Sequence, residues 1–120
     1  MPRDTPENRA TQRVLLATAA EVCWFRNNQG VADFNPVCPH CGTRRDPRRG
    51  ESKVVYGVGG KGGADYLGIV RKTGRFIAAE LKSADGRATP EQLAFLDMCR
   101  RAGALAVLAR VPEDVLEVIR

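Results

Sequence analysis

The stretch Gly62–Lys82, GGADYLGIVRKTGRFIAAELK, decides the fold. It opens on a glycine-rich turn that carries Asp65. The apolar run Tyr66–Arg71 follows, then Lys72-Thr73-Gly74, then Arg75–Lys82. Two such runs across a short turn with glycine predict a β-hairpin. Side chains alternate along a strand, so Phe76, Ala78, Glu80 and Lys82 share one face and Ile77, Ala79 and Leu81 the other. A carboxylate and an ammonium therefore leave the sheet together at one strand end. Asp65, at the head of the neighbouring strand, is expected to meet them there.

Downstream, Ser83–Ala88 is a polar loop. Thr89-Pro90-Glu91-Gln92 starts a helix, with Thr89 as cap, proline at the first position and Gln92 at the third. Leu93, Phe95, Leu96, Met98 and Cys99 carry that helix to a stop at Gly103. The apolar run Leu105–Ala109 reads as a central strand, and Val111–Ile119 as a closing helix with Pro112, Glu113 and Asp114 near its start.

Upstream, Lys53–Val58 is a strand leading into the flexible GGKGG turn, Gly59–Gly63. Val22–Phe25 is a short strand ended by Arg26-Asn27-Asn28-Gln29-Gly30. Residues 1–4 read as a loose end. Thr5 caps a first helix with Pro6 at its first position and Glu7 in its first turn. The spacing of Ala10, Val14, Leu15, Ala17 and Ala20 takes that helix to about Ala20.

Residues 31–52 differ. They contain Pro36, Pro39, Pro47, CPHC and four arginines, with little periodicity, and are expected to form an arm without regular structure. The order α-β-arm-β-β-β-α-β-α predicts one α/β domain over residues 1–120, a mixed sheet flanked by helices. Its last β-α-β step favours a right-handed crossover.

No apolar run in the 120 residues approaches the ~20 that a membrane span needs. MPRDTPENR lacks the apolar segment of a secretory signal. A cytoplasmic location and no membrane partner are therefore expected. In that compartment the four cysteines are expected reduced, buried or metal-bound. The net charge of +5 and pI near 9.4 suit a polyanionic partner such as nucleic acid.

Phosphodiester hydrolysis needs a divalent cation, an activated water and neutralised phosphate charge. Asp65 and Glu80 offer hard oxygen ligands for Mg²⁺ or Mn²⁺, and the Leu81 main-chain carbonyl a third. Lys82 can position or deprotonate the water, or balance charge on the phosphate. The plainer alternative makes Glu80 and Lys82 an exposed edge-strand pair and Asp65 a turn residue.

In that context GGADYLGIV, GRFIAAELK, GRATPEQ and AGALAVLARVPEDV resemble the VRR-NUC (virus-type replication-repair nuclease) domain of the PD-(D/E)xK nucleases. WFRNNQG resembles the strand-plus-RN segment that precedes the family's active-site turn, and the first helix, with Glu7 and Gln12, its opening helix. The resemblance covers most of the chain. It implies a restriction-endonuclease-like α/β fold that cuts DNA, selecting branched or junction structures in replication, recombination or repair. It makes Asp65 and Glu80 metal ligands, Lys82 the catalytic lysine, Gln92 an active-site helper and Glu7 the helix acid that completes the shell. Ala64 stands where the family usually has proline, and residues 31–52 exceed its simplest members.

Two of those residues have local alternatives. Glu7 also suits a dipole partner in a first helical turn, with Glu21 as fallback acid. Gln92 also suits a capping box with Thr89, and the two roles are expected to coexist only if its side chain turns away from the cap.

Cys38-Pro39-His40-Cys41-Gly42 is half of a zinc knuckle. Cys38 and Cys41 can grip one Zn²⁺, but a closed site needs four ligands. His40 is poorly placed to join them, so a second copy of both cysteines from a two-fold partner would complete it. Cys23 and Cys99 read as small core residues. Gly42, the arginines and Pro47 oppose a helix after Cys41, which argues against thioredoxin-like chemistry. Arg44, Arg45, Arg48, Arg49 and Lys53 form a basic set for phosphate contact, or else a solvated loop. A chain this short covers little of a duplex, so a homodimer is expected. Two alternatives stand beside the nuclease: a non-catalytic zinc-knuckle DNA-binding module, and a nuclease subunit active only with a replication or recombination partner.

Overall fold

The computed structural model describes residues 4–120, so most of the expected loose end at residues 1–4 lies outside the described residues. Helix α1 spans Pro6–Thr18, and Thr5 caps it by accepting the Asn8 N–H at 3.1 Å. It stops short of Ala20. The Glu21 N–H closes a turn on the Thr18 carbonyl at 3.0 Å. The buried Thr18 hydroxyl accepts the Trp24 indole N–H at 2.9 Å, which pins the next strand to the helix end.

The main sheet contains β1 (Val22–Arg26), β4 (Tyr66–Val70), β5 (Phe76–Leu81) and β6 (Leu105–Ala109), in that spatial order. The β1/β4 and β4/β5 pairs are antiparallel, and β5/β6 is parallel across helix α2 (Pro90–Arg101). Helix α3 (Pro112–Ile119) closes the chain. The architecture is a mixed α/β sheet flanked by helices.

The alternation in β5 sorts the core into two layers. Ile77, Ala79 and Leu81 pack with Val14 of α1, Val115 of α3 and the valines of β1, β4 and β6. Ala78 packs with Ala106 and with Phe95, Leu96 and Cys99 of α2. Small residues at Ala78 and Ala106, paired in register, let α2 lie close to the sheet. Glu80 is on this α2 face.

The region expected to be irregular is so from residue 34 to residue 52, and only its first three residues join a strand. Gly30–Asp33 forms strand β2, paired antiparallel with β3 (Lys53–Tyr56) in a separate two-stranded ribbon. The arm beyond it is ordered by polar groups. Asn35, 4% exposed, donates its amide to the carbonyls of Asp46, Arg49 and Gly50 and accepts the Asp46 N–H at 2.7 Å. Asp33 Oδ1 accepts the N–H groups of Asn35 and Ser52. One buried side chain thus satisfies the backbone of a loop too short to build an apolar core.

Among the described residues, no helix is long and apolar enough to cross a membrane.

Candidate active site

The C-terminal end of β5 carries Glu80 into the protein. Its side chain is 1% exposed, which desolvates a charged group and demands partners. Glu80 Oε1 accepts the Gln92 amide at 2.9 Å and lies 3.3 Å from Lys82 Nζ. Glu80 Oε2 is buried with no hydrogen-bond partner. Burial, and next the adjoining Asp65 carboxylate, push the Glu80 carboxyl up to about 7, with Lys82 opposing them. The Lys82 ammonium is mostly enclosed and also faces Glu7 Oε1 at 3.7 Å. Asp65, Glu80, Lys82, Gln92 and Glu7 therefore gather at one end of the sheet, drawn from a turn, a strand end and two helices.

Gln92 does both things expected of it at once, against the expectation that the cap excludes the site. Its Oε1 accepts the Thr89 N–H at 2.8 Å while its Nε2 reaches Glu80. A primary amide has an acceptor end and a donor end, so one rotamer serves the helix cap and the carboxylate together.

Asp65 is held by residues that carried no site role in the sequence. The Asn27 N–H donates to the Asp65 carbonyl at 2.9 Å. The Asn27 amide donates to the carbonyls of Val58 and Ala64, and its oxygen accepts the Val58 N–H at 3.0 Å. Gln29 donates to the Gly63 carbonyl at 3.0 Å. The glycine turn, whose backbone lacks a sheet partner, is thereby fastened to the end of β1. The signal was present as an amide-rich segment after a strand, with a glycine loop elsewhere in need of partners. At Gly62 the backbone has φ of 90°, and a Cβ would sit 2.6 Å from Glu91, so the turn lies directly on the start of α2. On the other side, Arg110 donates to the carbonyls of Ser83 and Gly86 and ties down the loop that leaves Lys82.

A polar cleft of about 790 Å³ opens at this end of the sheet, with Glu7, Asp65 and Leu81 in its lining and Arg26, Asn28 and Tyr56 among its walls. The Asp65 and Glu80 carboxylates, the latter with an unpartnered oxygen, and the Leu81 main-chain carbonyl are hard donors with surplus negative charge, which fits Mg²⁺ or Mn²⁺. Among the described residues, no three His, Cys, Asp or Glu side chains converge as a metal group. The remaining coordination positions would fall to water and phosphate oxygens, as Mg²⁺ commonly requires. Glu7 meets Lys82 rather than forming a third carboxylate of such a group.

The basic set divides. Arg44 turns inward, donating to the Asn35 carbonyl at 2.9 Å and lying 3.6 Å from Asp33. The Asn35 N–H, ahead of Arg44, holds the Asp33 carboxyl below its usual range. Lys53 pairs with Glu51 at 2.7 Å. Arg45, Arg48 and Arg49 are exposed, the last two beside Asp46. Cys99 is buried against the sheet and Cys23 half-buried in β1, whereas Cys38 and Cys41 lie on the arm.

Compared with known proteins, the chain matches no family model, no curated protein and no solved structure.

Proposed function

We propose that this chain is a metal-dependent deoxyribonuclease with a restriction-endonuclease-like topology, close in kind to the VRR-NUC domains that its sequence resembles. One observation carries the reading: a buried glutamate with an unpartnered oxygen, beside an enclosed lysine and a second carboxylate, Asp65, that lines an open polar cleft. A structural ion pair does not need a second carboxylate that raises its energy. Asp65, Glu80 and the Leu81 carbonyl would hold Mg²⁺ or Mn²⁺. Such an ion, when bound, supplies Lewis-acid polarisation of the phosphate.

The chain's own residues do the rest. Gln92 fixes the Glu80 carboxylate from the capped end of α2. Lys82, held between Glu80 and Glu7, presents N–H donors that orient the attacking water and offset charge on the phosphate oxygens. Glu7 restrains that ammonium from α1. Arg45, Arg48 and Arg49 would meet the DNA backbone beyond the cleft, in a sequence-independent manner. Branched or junction DNA is the proposed substrate, with replication or recombination as its setting.

Labelled junction, flap and linear DNA, each with and without Mg²⁺ or Mn²⁺, test the reading. Cation-dependent cleavage that Glu80→Ala abolishes, with DNA binding retained, is the expected result. Binding without cleavage on every substrate would favour the non-catalytic module. Cleavage that emerges only on adding a replication or recombination protein would favour the partner-dependent subunit.

A further inference from the structure

The arm has a metal-binding geometry that the cleft chemistry leaves unused. Cys38 and Cys41 are both free thiols on a tight loop at the far side of the Asn35 knot. The Cys38 N–H donates to the Thr43 carbonyl at 2.8 Å, and the Gly42 N–H to the Cys38 carbonyl at 2.9 Å. Gly42 takes φ of 72°, which turns the chain back after Cys41. Val37 and Arg44 bridge the base of the loop. Thr43 and the Cys38 thiol are the groups beside the Cys41 sulfur, and together they hold its thiol below the usual range. Two neighbouring cysteines on a loop closed by backbone hydrogen bonds and a glycine turn form one knuckle of a zinc site.

The knuckle is incomplete within one chain. A closed structural zinc site takes four ligands. Among the described residues, no third His, Cys, Asp or Glu joins the two thiols. The surroundings suit a second copy of the same loop. Phe34 and Val37, on the same arm, are 63% and 47% exposed and offer apolar surface there, Val37 immediately before Cys38. The arm segment 31–52 has four arginines against Asp33, Asp46 and Glu51, a net charge of +1. Zn²⁺ with four thiolates carries two net negative charges, which balances two such arms. A single knuckle facing its own copy also meets the isologous rule for a two-fold contact.

We propose that two copies of this chain share one Zn²⁺ through Cys38 and Cys41 of each, so that the arm is a metal-clasped dimerisation element. The clasp lies outside the cleft and stands independently of the cleavage reading.

The test is a Cd²⁺ titration of metal-free wild-type protein. Thiolate-to-cadmium charge-transfer absorption reports binding, and sedimentation reports mass. The expected end point is one cadmium for every two chains, reached together with conversion from monomer to dimer and reversed by chelator. As-isolated protein should hold zinc in the same ratio, and Cys41→Ser should be a metal-free monomer with an unchanged circular dichroism spectrum. An end point of one cadmium per chain with no change of mass would overturn the proposal. So would the absence of thiolate absorption, or a dimer that survives both chelation and Cys41→Ser.

Discussion

The sheet around β5 and the arm at 31–52 are ordered by opposite means. From Ile77 to Leu81 every residue is buried, and two apolar layers hold the strand from both faces. The arm has no such layer; it folds around one asparagine and displays Phe34, Val37, Arg45, Arg48 and Arg49 to solvent. Apolar burial scales with area and tolerates no polar neighbour without cost. Yet the sheet places a charged carboxylate, Glu80, inside that layer. Polarity in the arm provides order, whereas the buried carboxylate in the sheet opposes stability.

Substitutions can break this contrast, beginning with the largest effect. Ile77→Ala removes a fully buried side chain at the junction of β5, α1 and α3. It should cost ~3 kcal/mol in chemical denaturation. Glu80→Gln should act in the reverse direction. The folded-state value near 7 lies above the ordinary 4.5, so the folded protein binds the extra proton. Its stability is full below the ordinary value and falls as pH rises towards 7. Glu80→Gln is spared that loss and should be more stable than wild type at pH 8 by ~2 kcal/mol. The difference should fade on acidification, and Mg²⁺ should narrow it by stabilising wild type alone. A variant less stable than wild type at pH 8 would show that Glu80 is a structural anchor instead.

Asn35→Ala sharpens the same comparison from the arm. It strands several carbonyls, at about 2 kcal/mol of local order. Hydrogen exchange should speed up across 33–52 while β4 and β5 keep their protection. Uniform acceleration through both regions would mean that arm and sheet unfold as one unit. The smallest effect belongs to Arg49→Ala. Its stability should change by less than ~0.5 kcal/mol, because the side chain is exposed. Its DNA affinity should weaken equally on all sequences, with the salt dependence reduced by about one phosphate contact.

Much of the sheet was legible because its signals are local. Period-2 alternation in β5 and the Thr89-Pro90 start of α2 each depend on neighbours within a few residues. The gathering of Asp65, Glu80 and Lys82 followed from the hairpin and its glycine turn. What was illegible depends on distant partners. Strand β2 is four residues with one β-branched side chain, and its partner β3 lies across the whole arm. Asn35 bonds to residues eleven to fifteen positions away. Asn27 reaches more than thirty residues to the glycine turn. Arg44 reads like its neighbouring arginines until the fold supplies Asp33 and the Asn35 carbonyl. Gln92 differs for another reason: the two ends of one amide serve the cap and the carboxylate at once, which a residue's type and spacing alone do not disclose.

Whether the β5 end is a catalytic centre is tested by single-turnover cleavage of junction DNA by Lys82→Ala in Mg²⁺. The variant should bind the DNA as wild type does and cleave it at least ~100-fold more slowly, the scale of a lost group that positions or activates the nucleophile. Equal rates for wild type and Lys82→Ala would contradict the account.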